Sequence, residues 1–219
     1  MANNPALNSL LKWSINNSEQ SREDATSQGD PKAERDPNRG LDPQALAELM
    51  GGPSDADRMR ESMAAIQSPE VDLENKKIAF DNFEQLIENI DNANNMEPMG
   101  LWMPLVEQLG AQEPEMRMFA AWCVATAVSN NARAQERALI LNAIPTLAKL
   151  AQEDKDKAVR KKACLALSSE VRNYRPGFEA LVKALPSNYV PNAANLDPYD
   201  MDAVDAVIGK MREDAAKDV

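Results

Sequence analysis

The sequence predicts an all-α protein built as a short helical solenoid, and three observations carry that prediction. Residues 73–93 (LENKKIAFDNFEQLIENIDNA) place Phe83, Leu86, Ile87 and Ile90 at offsets of 4, 7, 8 and 11 from Ala79, the spacing of one helix face. The pattern returns in residues 115–131 (EMRMFAAWCVATAVSNN) and 158–174 (AVRKKACLALSSEVRNY). Aligned on Lys76, Arg117 and Arg160, the three stretches agree column by column. Alanine stands at +3 (Ala79, Ala120, Ala163), a larger apolar residue at +7 (Phe83, Val124, Leu167), a β-branched residue at +11 (Ile87, Val128, Val171) and asparagine at +13 (Asn89, Asn130, Asn173). The repeat lengths, 41 and 43 residues, are those of armadillo- or HEAT-type units. The expected fold is therefore an armadillo-like solenoid of three clear repeats plus a capping unit, preceded by a mobile N-terminal segment.

Taken in order, residues 1–18 hold an apolar cluster (Leu7, Leu10, Leu11, Trp13, Ile15), and residues 19–40 are a linker. The stretch 17–40 has no large apolar residue and buries too little surface to offset its ordering entropy, so the apolar tip reads as tethered. The helical domain is expected over 41–214, with 215–219 as a tail. Asp42 and Pro43 start a short helix over 41–50, which Gly51, Gly52 and Pro53 end. Ser54 and Asp55 cap the next, whose core residues are Met59, Met63 and Ile66. The first repeat helix follows and closes on an asparagine-rich run, NIDNANNM over 89–96. That run reads either as a helix C-terminus and turn or as a polar binding surface.

Residues 101–109 and 143–150 start the second and third repeats, with Pro104 and Pro145 in first turns, where a missing N–H is tolerated. Residues 132–142 form a linking helix. Phe178, Leu181, Val182 and Leu185 mark one more helix, residues 186–198 a proline- and asparagine-rich loop. Asp200 caps a last amphipathic helix carrying Val204, Val207, Ile208 and Met211, which closes the core against water. Glu170 breaks register, standing where Leu86 and Ala127 are apolar, and predicts that the third repeat helix ends or shifts before it.

Composition narrows the function. Net charge is −11, which disfavours binding to nucleic acid phosphates and suits a partner with a basic patch. There is no histidine, which removes the usual neutral-pH base, the Ser-His and Cys-His pairs and the commonest zinc ligand. Cys123 and Cys164 lie in apolar helices and read as buried thiols. No nucleotide-binding loop, CxxC, HExxH or calcium-loop motif is present, and Asp154 and Asp156 sit in a charge run (EDKDKAVRKK) that reads as a solvated turn. The sequence thus offers no enzyme, no cofactor and no metal site, and with no signal peptide and no long apolar run it reads as soluble and intracellular.

Counting back by fours from the aligned asparagines gives one stripe per repeat helix on the face that armadillo units turn inward. The stripes are Asp81, Gln85 and Asn89; Trp122, Thr126 and Asn130; and Leu165, Ser169 and Asn173. Together they would form a groove of amides and hydroxyls with Trp122 either as its aromatic anchor or as core. Arg117 and Arg160 reach that groove or pair with acids of neighbouring repeats.

Five stretches carry a family resemblance: LLKWSI (10–15), LMGGPSDADRMRESMAAI (49–66), AFDNFEQLIENIDNANNMEP (79–98), AAWCVATAVSNNARAQ (120–135) and AVRKKACLALSSEVRNY (158–174). Over about residues 7–214 the chain resembles the fungal armadillo-type nucleotide exchange factors of the seventy-kilodalton heat-shock chaperone, relatives of the human heat-shock-protein-binding exchange factor. The resemblance implies a cytoplasmic, monomeric co-chaperone. It would grip one lobe of the chaperone's ATPase domain with its concave face, open the nucleotide cleft and release ADP, so that ATP rebinds and client leaves. The contacts it implies are Asn92, Ala93, Asn94 and Asn95 together with the stripe residues, and Ala93→Arg is expected to block binding without unfolding, with Ala93 past the helix core. The family's N-terminal client mimic maps to Leu10, Leu11, Trp13 and Ile15. The alternative is an armadillo-groove adaptor binding an extended peptide through its asparagine rows.

Overall fold

Three helices of 15 residues each form the spine: α2 (Leu73–Ile87), α5 (Pro114–Val128) and α8 (Lys157–Val171). The computed structural model describes residues 52–190 and 200–217, and among the described residues every regular element is helical. The remaining helices are α1 (Asp55–Gln67), α3 (Ile90–Asn95), α4 (Trp102–Glu107, followed by a 3-10 turn, Gln108–Gly110), α6 (Ala132–Ile140), α7 (Ala143–Glu153), α9 (Arg175–Ala184) and α10 (Met201–Ala215). The segments expected at 1–18 and 19–40, with Leu10, Leu11, Trp13 and Ile15, and the helix expected over 41–50 lie outside the described residues, as do 191–199 and 218–219.

The periodic columns explain the packing. All residues of the +3, +7 and +11 columns are buried. The alanines at +3 let α5 pack closely between α2 and α8. Met59, Met63 and Ile66 of α1 extend the core at one end, and Val204, Val207, Ile208 and Met211 of α10 cover α8 and α7 at the other. Pro104 and Pro145 are each the third residue of their helix, within the first turn.

Helix starts follow their caps. The Asp72 carboxylate accepts from the Asn75 N–H at 2.9 Å, that of Asp156 from Ala158 and Val159 at 2.7 and 3.0 Å, and that of Asp200 from Asp202 at 3.0 Å. Two ends differ from expectation. The helix predicted over 73–93 stops at Ile87, and the Asn89 side chain accepts from the Asp91 N–H to cap α3 as a separate element. The third repeat helix does not end before Glu170: α8 continues to Val171 with Glu170 fully buried inside it.

The aligned arginines pair between units instead of reaching the groove. Arg117 binds Asp154 in bidentate fashion at 2.7 and 3.0 Å, across from α5 to the turn before α8. This corrects the reading of Asp154 as solvated, since its side chain is only 4% exposed. Burial works to raise the Asp154 pKa, but the Arg117 guanidinium and the Asp156 N–H outweigh it and hold the carboxyl below its ordinary range. Arg160 is buried among backbone carbonyls: Asp154 at 2.7 Å, Lys155 at 3.1 Å, Ala215 at 3.2 Å and Lys217 at 2.6 Å.

Candidate functional site

The stripes of α5 and α8 share one cavity, whereas Gln85 of the α2 stripe lines a groove between α1 and α2. Asp81 and Gln85 are exposed on α2, with Gln85 Nε2 donating to Asp81 Oδ2 at 2.8 Å. Trp122 and Thr126 are half-buried on α5; on α8, Leu165 is 39% exposed and Ser169 half-buried. Thr126, Leu165 and Ser169 meet, with Glu88, Ala125 and Ser129, around a cavity of about 350 Å³.

Trp122 is half-buried and held by its neighbours. The Phe80 and Phe119 rings stack at 5.6 Å, and Phe119 stacks on Trp122 at 5.9 Å. Lys162 Nζ caps the series 3.4 Å from the Trp122 ring centre. This ladder crosses all three helices. Desolvation pulls the Lys162 pKa down, while the nearby Glu84 carboxylate works against that. Glu84 is itself buried and accepts a hydrogen bond from the Thr126 hydroxyl at 2.6 Å.

The third member of each stripe falls outside its helix. Asn89, Asn130 and Asn173 each lie two residues past the last helical residue, Ile87, Val128 and Val171. Asn130 and Asn173 adopt left-handed backbone with φ of 52° and 57°, as does Asn142 after α6 with φ of 58°. Asparagine tolerates that geometry at a helix C-terminus, and these three residues end their helices with it, whereas no residue of the 89–96 run has positive φ. The count by fours ran past the point where the helical period exists.

The asparagine-rich block also divides. Asn92 Nδ2 donates to Asp55 Oδ2 at 3.0 Å and to the Leu86 carbonyl at 2.9 Å, tying α3 to the start of α1 and the end of α2. Asn94 is half-buried, its Oδ1 enclosed without a partner, and Asn95 is exposed. Ala93 is only 2% exposed and belongs to the core, which corrects the expectation that it lies past the core. An arginine there would have to displace packed neighbours, so Ala93→Arg does not separate binding from folding.

Sequence reasoning missed Phe80, Phe119, Lys162, Glu84 and Glu88. A signal existed for two of them. Phe119 and Lys162 both stand at +2 from the aligned arginines, a column of Ile78, Phe119 and Lys162 that alternates with the buried ones. Ile78 is exposed and lines a second groove of about 690 Å³ between α1 and α2. Burial pushes the Cys123 thiol well up and that of Cys164 up to about 11, which leaves both protonated and unreactive at neutral pH. Among the described residues no group of three or more His, Cys, Asp or Glu is placed to hold a metal ion, and no helix is long and apolar enough to cross a membrane.

Comparison with known proteins follows the same lines. A family model described as nucleotide exchange factor Fes1 matches residues 7–96, and a HEAT-like repeat model matches residues 114–169. The Hsp70 nucleotide exchange factor FES1 of Coccidioides immitis is 51% identical over 208 residues, 94% of this chain and 97% of that protein. The protein of the same name from Gibberella zeae is 48% identical over 217 residues, covering 97% and 98% of the two chains. That of Saccharomyces cerevisiae is 43% identical over 183 residues, 81% of this chain and 59% of the longer relative. Among solved structures, the crystal structure of an engineered protein is similar in fold, with a TM-score of 0.53 at 18% identity over 78% of this chain and 72% of that one.

Proposed function

Because the chain belongs to the Fes1 nucleotide exchange factor family, we propose that it binds the ATPase domain of a cytoplasmic seventy-kilodalton heat-shock chaperone and accelerates its release of ADP. The α2, α5 and α8 surface is the gripping face. The observation that carries this assignment is the ladder Phe80, Phe119, Trp122 and Lys162 running across all three helices beside an open cavity. A half-exposed aromatic braced from beneath and rimmed by polar groups is the arrangement that concentrates affinity in protein interfaces. Thr126 and Ser169 supply hydrogen-bonding groups at the neighbouring cavity. Asn89, Asn95, Asn130 and Asn173, all exposed at helix ends, are rim contacts, while the hydrogen bonds of Asn92 and the burial of Ala93 hold α3 in place.

The chain needs no chemistry of its own. A partner that binds the open chaperone better than the ADP-closed form shifts the population by that difference in affinity. Each factor of ten in release rate corresponds to about 1.4 kcal/mol, so a thousandfold acceleration needs about 4 kcal/mol of preference for the open form. ATP then rebinds and client is discharged. The segment Leu10, Leu11, Trp13 and Ile15 acts separately, as a client mimic at the chaperone's peptide groove. Deleting residues 1–16 is expected to leave ADP release unchanged and to slow client release; equal client release with and without the segment would remove that part of the proposal. The peptide-groove adaptor is the weaker reading, because the relatives that match over nearly the whole chain are Hsp70 nucleotide exchange factors.

The direct test is stopped-flow release of a fluorescent ADP analogue from the purified chaperone, chased with ATP. The protein is expected to accelerate release with saturation, and Leu165→Arg, at an exposed position on the gripping face, to remove the effect while leaving the unfolding midpoint unchanged. No acceleration at saturating protein would refute the proposal.

A further inference from the structure

We infer that the cavity bounded by Glu88, Ala125, Thr126, Ser129, Leu165 and Ser169 is a subsite for a basic side chain of the chaperone's ATPase domain, arginine above all, an inference that rests on the function proposed above. Three independent features point to a cation. The first is the donor set. The Glu88 carboxylate is exposed and forms no ion pair or hydrogen bond among the described residues. The Thr126 hydroxyl commits its proton to Glu84 at 2.6 Å, so its oxygen remains as an acceptor, and Ser129 and Ser169 add two more hydroxyl oxygens. An anion would face Glu88, and an apolar group would strand the hydroxyls without partners.

The second is the backbone. Glu88 is the C-cap of α2, Ser129 is the C-cap of α5, and Ser169 lies in the last turn of α8. Three helix C-termini thus converge on one cavity, and the negative ends of their macrodipoles favour positive charge there. The third is shape. Ala125 and Leu165 form an apolar wall against which the aliphatic stem of a long basic side chain packs, with the charged head at the polar end. Arginine fits best because its five N–H donors match acceptors spread around the rim rather than gathered at one point. Lys162 on α8 is engaged over the Trp122 ring with Glu84 beside it. It therefore leaves Glu88 unneutralised, and the net charge of −11 extends the same preference over distance.

The test uses the full-length protein and the chaperone's ATPase domain, with affinity measured by calorimetry at several salt concentrations. Glu88→Lys is expected to weaken binding by about tenfold or more and Glu88→Gln by about threefold, with a flatter salt dependence in both. Glu107→Lys, an exposed reversal on α4 outside the cavity, is expected to change affinity by less than about twofold. Glu88 is exposed at a helix end, so circular dichroism and the urea midpoint are expected to match the wild type. Among arginine- and lysine-to-glutamate substitutions on the ATPase domain, one is expected to restore binding to Glu88→Lys and so identify the occupant. If both Glu88 variants bind like the wild type while Leu165→Arg does not bind, the subsite is refuted and the gripping face stands. If the wild-type protein fails to accelerate ADP release, the function proposed above fails and this inference fails with it.

Discussion

Arg117 and Arg160 occupy the same place in successive repeats, and their hydrogen bonds are half identical and half different. Each sends Nη1 back to the carbonyls six and five residues earlier: Ala111 and Gln112 for Arg117, Asp154 and Lys155 for Arg160. That half fixes the turn ahead of the repeat helix. The other half joins units. Arg117 presents Nε and Nη2 to the Asp154 carboxylate of the next repeat, whereas Arg160 presents the same atoms to the carbonyls of Ala215 and Lys217 at the end of α10. The last turn of α10, with its unsatisfied carbonyls and negative dipole end, takes the place that an aspartate fills between interior repeats. One arginine position therefore serves both to propagate the solenoid and to close it.

The comparison is broken most severely at Arg160. Arg160→Ala leaves four carbonyls, one buried and three part-buried, without their guanidinium partner and is expected to cost about 4 kcal/mol in urea unfolding. The loss should be local in origin: hydrogen exchange in α10 rises in Arg160→Ala and stays at the wild-type level in Arg117→Ala. A uniform rise in both variants would show that the two arginines do not differ in what they join.

Arg117→Ala is expected to cost about 3 kcal/mol, less than Arg160 because its side chain is 17% exposed and water reaches part of it. A double-mutant cycle with Asp154→Asn should return most of that cost as coupling. Because the folded-state pKa of Asp154 lies below its ordinary value, the pair's contribution is complete above the ordinary carboxylate range and is lost as pH falls through the lowered pKa. The stability difference between wild type and Asp154→Asn should hold at pH 5–7 and shrink as pH falls below the ordinary aspartate value and through the lowered one. A difference that persists undiminished in acid would mean that the carboxylate charge is not what Arg117 uses.

Glu170 makes a second contrast, with Leu86 and Ala127 in the same column. It is 0% exposed, neither carboxyl oxygen has a hydrogen-bond partner, and burial raises its pKa to about 9. Glycine at 177 makes the close approach possible, since a Cβ there would lie 2.8 Å from the Tyr174 ring and 3.1 Å from the Glu170 carbonyl. A raised folded-state pKa means stability that is complete below the ordinary glutamate pKa and declines as pH rises toward 9. Glu170→Met, unbranched and apolar, is expected to gain about 2 kcal/mol at pH 8 and little near pH 5. A gain that does not vary with pH would show that ionisation of Glu170 is not the liability.

The parts of the molecule legible in sequence were those where burial imposes a period. The columns headed by Ala79, Phe83 and Ile87 are buried in all three repeats because one helix face must be. What escaped were features set by a partner distant in sequence or by the end of the period. Asp154 sits among charges and looks solvated, but its partner is 37 residues away on another helix. Ala93 is small and follows polar residues, so its burial depends on α3 folding back, which a single continuous helix would not do. The aromatic ladder was half visible in Trp122. Phe80 and Phe119 are hidden because neither column repeats as aromatic: Ala121 and Cys164 align with Phe80, and Ile78 and Lys162 with Phe119.

The asparagines of the +13 column show that limit in its smallest energetic form. Asn130 and Asn173 terminate helices in left-handed backbone, while Asn89 has φ of −73° and starts one. Alanine does not separate the two roles, because it costs about 1 kcal/mol both at a left-handed position and at an N-cap. Aspartate does. At residue 89 it keeps the accepting oxygen and adds charge at the positive end of α3, so Asn89→Asp is expected to be neutral or slightly stabilising. At residues 130 and 173 it places a carboxylate against the negative ends of α5 and α8, and each variant is expected to lose about 0.5 kcal/mol. Glycine, free to adopt positive φ, is expected to be near neutral at 130 and 173. Urea midpoints for the three aspartate variants decide the matter: a loss at 130 and 173 with none at 89 assigns the roles as the backbone does. Equal losses at all three would mean that the aligned asparagines share one role after all.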